Sequence, residues 1–451
     1  MTEFLSEMRL LAGRADELPA DAAAELYALY DNMAREAAAG ILEIDPELRV
    51  ELCDTRDKIL ERVIDVDVPV KKPSAGFGIY TPAVQGYRTW SNTELMKDKC
   101  MAGYTLAKEI GGRAVSFFGT KPADYPYLAQ LPGMEMNYRD TSKDAAEDYR
   151  DYLMQNSERM DALILNGFND KTRLFLGQYK KLRPNGKVYC GLDMNKASME
   201  VSNLSDLEIQ ESFRRCDIVA TSCRSLRDAF NRNPNVNFSC RWLPNGFYNS
   251  TDIPIVADAT AKENVILTVG RIGSGQKNNT ELLLAFATAL EAMPGWSLRF
   301  VGAAEPAFQN SVNQLFTAYP HMRERIILTG AITDKAELYK EYARAKIFAL
   351  TSGFEGGTPN VYAEALFHGC MFITSDIDAA DDITDYGTLG AKYKLGDIDI
   401  LASLLASCAG ADRRAFEIHI PKALAYAKKY YDWNRNAKKL AYMMFGKDGA
   451  S

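Results

Sequence analysis

Two short apolar runs, Lys346-Ile347-Phe348-Ala349-Leu350 and Met371-Phe372-Ile373-Thr374, enclose a glycine-rich loop and one helix-forming stretch, Leu350 to Gly369. Runs of this length and apolarity read as buried strands, and a strand-loop-helix-strand order makes the pair a parallel crossover. Thr358 suits an N-cap, Pro359 the first helical position and Gly369 the stop, so the helix is expected from about Pro359 to His368. Gly356 and Gly357 let backbone N–H groups come close to a ligand, and the helix N-terminus behind them carries partial positive charge suited to phosphate or sugar hydroxyls. Glu355 and Glu364 would each hold hydroxyl groups. Taken alone, the stretch reads equally as a capped crossover with two exposed glutamates.

The same alternation runs through most of the chain. From about Ser74, apolar runs near 76–81, 115–118, 135–138, 162–165, 187–192, 218–221 and 239–243 alternate with helical segments at 93–110, 143–157, 171–182, 206–215 and 225–231. That pattern is the signature of a doubly wound α/β domain. Its first long loop, Pro82 to Asn92 with Gly86, Arg88 and Trp90, lies where ligands bind such sheets, at the carboxyl ends of the strands. Pro244-Asn245-Gly246 and a polar stretch to Glu263 separate it from a second series of runs at 265–269, 298–301, 326–329, 347–350 and 372–374. Ahead of both, residues 1–70 read as helices, with Leu26, Leu29, Tyr30 and Met33 at helical spacing and a further amphipathic run from Asp54 to Val66. The expected division is a helical extension (1–70), a first Rossmann-like domain (71–248), a second (249–420) and a C-terminal helix (421–451).

Composition excludes more than it identifies. A net charge of −7 over 451 residues argues against a general nucleic-acid binder. No apolar run approaches 18 residues, and Met1-Thr2-Glu3-Phe4-Leu5-Ser6-Glu7 is acidic and polar, so a cytoplasmic location is the expectation. The eight cysteines form no Cys-x-x-Cys pair, and His321, His368 and His419 are not spaced as ligands; no metal site is expected. Asp65-Val-Asp67, Asp376-Ile-Asp378 and Asp397-Ile-Asp399 read as solvated acidic turns.

After the first strand of the second series comes Gly270-Arg271-Ile272-Gly273-Ser274-Gly275-Gln276-Lys277-Asn278-Asn279. A glycine-rich turn with two cations at a strand's carboxyl end suits a diphosphate, because Arg bridges two oxygens and Lys adds a point charge. Taken with Glu355–Glu364, this turn resembles the Gly-Arg-x-x-x-x-Lys and Glu-x7-Glu segments of the retaining GT-B glycosyltransferases of family 4. Ile326–Gly330 and the Leu338-Tyr339 helix between them resemble the same family, and the likeness covers about residues 240–400. Each of the two segments is one residue longer here: eight residues separate Glu355 from Glu364, and one extra precedes Lys277.

The resemblance implies a GT-B fold, two Rossmann-like domains facing a cleft, with the C-terminal helix crossing back to the first. It implies a nucleotide-sugar donor, such as a UDP- or GDP-sugar, and a glycan, protein or lipid acceptor, with no metal and no further cofactor. Arg271 and Lys277 would stabilise the departing diphosphate and Glu355 would meet the donor sugar. Gly270, Gly356, Gly357, Thr358, Pro359 and Asn360 would offer donor contacts, Gly330 would lie by the nucleobase, and Glu364 would hold the ribose. Many members place a first-domain histidine beside the sugar, but all three histidines here fall in the second series; the corresponding strand end offers Asp193, which reads equally as a strand-end cap. A non-catalytic GT-B-like subunit, binding a glycan or a protein through residues 1–70, is the alternative, and a homo-oligomer through the same helices is compatible with either.

Overall fold

The computed structural model describes residues 7, 10, 11, 13–70, 78–80, 92–111, 113–119, 124–138, 142–251, 254, 255 and 257–446, with backbone only for 78–80, 113–119, 145 and 171. They fall into two units, Met1–Tyr248 with Trp433–Ser451, and Asn249–Asp432. Residues 82–91, most of the loop expected to face an acceptor, lie outside the described residues.

The first unit holds a parallel sheet of β1 (Gly78–Tyr80), β2 (Arg113–Gly119), β3 (Glu135–Tyr138), β4 (Ala162–Asn166), β5 (Lys187–Leu192), β6 (Ile218–Thr221) and β7 (Cys240–Trp242) in the order β3-β2-β1-β4-β5-β6-β7. Strand order reverses between β1 and β4, as in a doubly wound sheet. Continuous apolar runs marked the inner strands β4, β5 and β6 because helices cover both faces: β6 is buried along its whole length, whereas the edge strand β3 has no buried residue.

Two helices, Ala20–Ala38 and Pro46–Asp65, pack against each other, and the second also covers the Arg224–Arg232 helix and β7. The buried face of the first is Ala23, Tyr27, Tyr30, Ala34 and Ala38, whereas Leu29, expected inside, is exposed. Small residues at 23, 34 and 38 let the two helices approach closely, and the apolar stripe in the sequence marked the wrong edge of that face. Beneath the second helix lies a lattice of buried charge. Arg227 meets Asp57 at 2.7 Å, Asp228 at 2.7 Å and Asp54 at 3.3 Å; Arg56 bonds Asp57 and Ser239 Oγ at 2.7 and 2.6 Å; Arg241 pairs with Asp31.

The second unit holds β8 (Glu263–Val269), β9 (Ser297–Val301), β10 (Ile326–Gly330), β11 (Ala345–Leu350), β12 (Met371–Ser375) and β13 (Gly390–Tyr393), all parallel, in the order β10-β9-β8-β11-β12-β13. The edge strand β13 carries a single buried residue, Tyr393, so no apolar run announces it. Ile266, Phe286, Phe300, Phe308, Ile347 and Leu405 stand at the centre of the core. Strand order reverses between β8 and β11.

One boundary needs correction. Pro421 does not open the C-terminal helix; it lies inside a helix, Arg413–Tyr430, that belongs to the second unit. The chain returns to the first unit in a separate helix, Trp433–Phe445, packed on the Asp98–Ile110 helix. Its start is tied down by Trp433 N–H to Phe247 O (3.1 Å) and Asn436 Nδ2 to Pro244 O (2.9 Å). A proline's preference for the first helical turn suggested a start where tertiary packing tolerates an interior proline.

Candidate functional site

A crevice opens between the carboxyl ends of β8 and β11, where the strand order reverses, lined by Thr268 to Ile272, Lys277, Asn279 and Leu350 to Ser352. Ligands of open α/β sheets bind at such a reversal because the two flanking loops diverge there.

The wall after β8 is the basic turn. Gly270 N–H bonds Val301 O at 3.0 Å, which brings the turn across the end of β9. Gly302 makes that crossing possible: it has φ +145°, and a Cβ on it would lie 1.8 Å from the Gly270 carbonyl oxygen. Further along, Asn279 Oδ1 accepts from Gly273 N–H at 2.8 Å and closes the turn onto the first residue of the Asn279–Ala289 helix. Asn278 before it has φ +45°, a left-handed conformation that asparagine tolerates. Gly302 N–H in turn bonds Gly330 O at 2.9 Å, so Gly270, Gly302 and Gly330 form a backbone path along the carboxyl ends of β8, β9 and β10.

The opposite wall is the loop after β11. Thr351 Oγ1 donates to Lys277 O (3.0 Å) and Asn278 O (3.2 Å), locking the two loops together. Glu355 is 8% exposed. Its Oε1 accepts from Lys277 Nζ and from Ser352 Oγ (2.5 Å), and Ser375 Oγ braces the Ser352 carbonyl at 2.6 Å. The added residue in this loop therefore leaves Glu355 turned inward, against the very lysine expected to meet the diphosphate. Gly357, at φ +98°, makes the reversal into the helix.

That helix runs Asn360–Phe367, with Pro359 rather than Thr358 in the N-cap position. Thr358 is buried instead. Pro359 has no side-chain acceptor and makes no side-chain cap bond. Gly369, at φ +70°, ends the helix as its sequence position suggests.

Glu364 faces the neighbouring Lys335–Arg344 helix. Its Oε1 accepts from Lys335 Nζ at 2.6 Å and its Oε2 from Tyr342 OH at 2.7 Å. Burial and the adjacent carboxylate both push the Tyr342 hydroxyl up, so it stays a neutral donor. Behind Tyr342, His368 stacks on its ring (centroids 5.6 Å apart, 22° between planes) and donates from Nδ1 to the Glu364 carbonyl at 2.7 Å. Burial lowers the His368 pKa to about 4, so the ring is neutral at ordinary pH.

Arg271, Lys277 and Glu355 thus come together, Glu364 stands in its own pair of contacts, and Gly356, Gly357, Thr358, Pro359 and Asn360 form the turn between the two glutamates. Asp193 belongs to the first unit, at the carboxyl end of β5, with Lys99 Nζ 3.6 Å from its Oδ2. His368 and His419 serve the interior of the second unit; His419 Nε2 donates to Cys370 O at 2.9 Å. Asp65 and Asp67 pair with Arg435 and Lys438, while Asp397 caps a helix. Among the described residues, no group of three or more His, Cys, Asp or Glu is placed as for a metal ion, and no helix is long and apolar enough to cross a membrane. Lys335, Tyr342, Ser352 and Gly302 escaped the sequence reading. Nothing in their local pattern marks them, since each acquires its place through a partner on another element.

Residues 263–409 match the family model of Glycosyl transferases group 1. No curated protein is matched by sequence. Solved structures similar to this chain include sucrose-phosphate synthase (tll1590) from Thermosynechococcus elongatus, at TM-score 0.60 and 19% identity over 80% of this chain and 96% of that one. Alr3699/HepE of Anabaena, in complex with UDP, gives TM-score 0.60 and 15% identity over 81% and 98%. The lipopolysaccharide outer core galactosyltransferase WaaB gives 0.55 and 16% over 81% and 98%. The fold is GT-B.

Proposed function

We propose that this protein is a retaining glycosyltransferase that moves a sugar from a nucleotide-sugar donor to an acceptor without a metal ion. The observation that carries the reading is the crevice between β8 and β11, where Arg271, Lys277 and the inward-facing Glu355 share one wall system at the strand ends. The match of this segment to a glycosyltransferase family model supports it. So does the binding of UDP and of UDP-glucose by a similarly folded protein.

In this reading Arg271 and Lys277 take the diphosphate and stabilise the charge that grows on it as the bond to the anomeric carbon breaks. Glu355 holds a hydroxyl of the sugar, and Lys277 exchanges part of its bond to Glu355 for a phosphate oxygen when donor binds. Glu364, fixed by Lys335 and Tyr342, accepts from the ribose. Gly330 flanks the nucleobase, and the N–H groups from Gly356 to Asn360 line the sugar and phosphate. The acceptor oxygen forms its bond on the face the diphosphate leaves, and its proton passes to a leaving phosphate oxygen, so no protein base is required.

Isothermal titration with UDP, GDP and a panel of their sugars, followed by turnover assays and assignment of the product's anomeric configuration, tests the reading. Binding of a nucleoside diphosphate with retained configuration is expected. An inverted product removes the retaining mechanism. Binding without turnover on any acceptor favours a non-catalytic glycan- or protein-binding subunit, and absence of nucleotide binding overturns the proposal.

A further inference from the structure

Gln276 sits between the two loops that form the crevice and touches both. Its carbonyl oxygen accepts from Gly353 N–H at 2.8 Å. Its side-chain Oε1 accepts from Arg271 Nη2, while Nε2 donates to Phe354 O at 3.1 Å and to Glu355 Oε2 at 3.3 Å. The amide orientation is fixed by its partners, because a guanidinium only donates and the other two groups only accept. Both loops are one residue longer than the family spacing they resemble, and they cross at this residue.

We infer that Gln276 is a positioning residue that couples Arg271 to Glu355, so that the diphosphate-side and sugar-side groups are aligned as one unit before donor arrives. The inference rests on the reading of the crevice as a nucleotide-sugar site. Arg271 is exposed, and without a tether its long side chain would sample many rotamers. Glu355 Oε1 is occupied by Lys277 and Ser352, which leaves Oε2 as the oxygen for a sugar hydroxyl. Gln276 takes one lone pair of that oxygen and so sets the direction of the other. An amide is required for this. Glutamate in its place cannot donate to Glu355, lysine cannot accept from Arg271, and alanine does neither.

The test uses the full chain and the UDP- or GDP-hexose that the wild type turns over fastest, by transfer or by slow hydrolysis. Gln276→Ala keeps the backbone bond to Gly353, so its melting temperature is expected to stay within a degree or two of wild type. Its kcat is expected to fall about tenfold or more, the scale of a lost alignment, while donor KM and the Kd for the bare nucleoside diphosphate change less than about threefold. Gln276→Glu should show a loss of the same order. Gln276→Ala added to Glu355→Gln should cost little more than Glu355→Gln alone, because the two act through one contact. Wild-type kcat in Gln276→Ala overturns the inference, as do fully additive losses in the double variant. A parallel drop in kcat, nucleotide affinity and melting temperature would make Gln276 a structural strut and overturn it too. Failure of the wild type to bind any nucleoside diphosphate would instead remove the reading of the crevice on which the inference stands.

Discussion

The two units place their charges in opposite settings. In the first, Arg56, Arg227 and Arg241 are almost wholly buried where the N-terminal helices pack, each met by one or more aspartates. In the second, Arg271 is exposed and Lys277 half-buried, at the carboxyl end of a strand, with partners that leave part of their capacity open. The first arrangement uses its charge to hold helices to a sheet, and the second leaves charge at a crevice, which the proposed function assigns to a diphosphate. The buried lattice of the first unit and the strand-end pair of the second thus differ in exposure, and the Lys335–Glu364 pair lies between them, on facing helices beside the candidate crevice.

The sharpest way to break this comparison is at Arg227. Arg227→Met leaves Asp54, Asp57 and Asp228 around an apolar side chain, and stability should fall by about 3–5 kcal/mol, the scale for breaking a buried ion pair from one side. Chemical denaturation of the full chain checks it, and an unchanged midpoint would show the lattice to be dispensable. Lys277→Ala should do the reverse. Turnover falls roughly 10²-fold, while the denaturation midpoint moves less than in Arg227→Met, because Ser352 and Gln276 still donate to the buried Glu355; a stability loss as large as at Arg227 would erase the contrast between the units.

Acid should also separate the two regions. Burial alone would raise the Asp31 carboxyl, but Arg241 outweighs it and holds the group below the ordinary range. A depressed carboxylate contributes stability above its unfolded pKa, lost as pH falls through the acid range below about 4. Burial depresses His368 to about 4 instead. The unfolded chain then binds the extra proton first, so stability falls as pH drops from about 6.5 towards 4 and then levels off. Between pH 6.5 and 4, His368→Phe should flatten the stability profile and Asp31→Asn should not; equal profiles for His368→Phe and wild type would refute the assignment.

Glu364→Ala is expected to give the smallest effect, a rise in donor KM of about tenfold with kcat nearly constant, because a ribose contact acts equally in ground and transition states. A fall in kcat matching the rise in KM would move Glu364 from binding to catalysis.

Much of the fold could be read in advance, and for a physical reason. Strands covered on both faces need continuous apolar residues, so β5 and β6 begin and end where the sequence places them. The edge strand β13 buries too little to be seen. The two halves of the C-terminal region look alike in sequence, with aromatic and lysine-rich helical patterns, and only the docking of Trp433 and Asn436 onto the 244–247 segment separates the helix that returns from the one that stays.

At the candidate site, the residues legible in the sequence are those with a local signal of their own: a glycine-rich basic turn at a strand end, and glutamates flanking a Gly-Gly-Thr-Pro. Residues defined by long-range partners were hidden. Ser352 and Gln276 are placed by bonds to Glu355, which stands 79 positions from Gln276 in the chain, and Lys335 and Tyr342 by bonds to Glu364. The sequence by itself determined two doubly wound sheets and the strand-end turns of the candidate site, because periodicity and turn chemistry act over a few residues. Only the tertiary structure decided which way Glu355 faces and which helix leaves the second unit, because each of those depends on contacts between segments that no local pattern encodes.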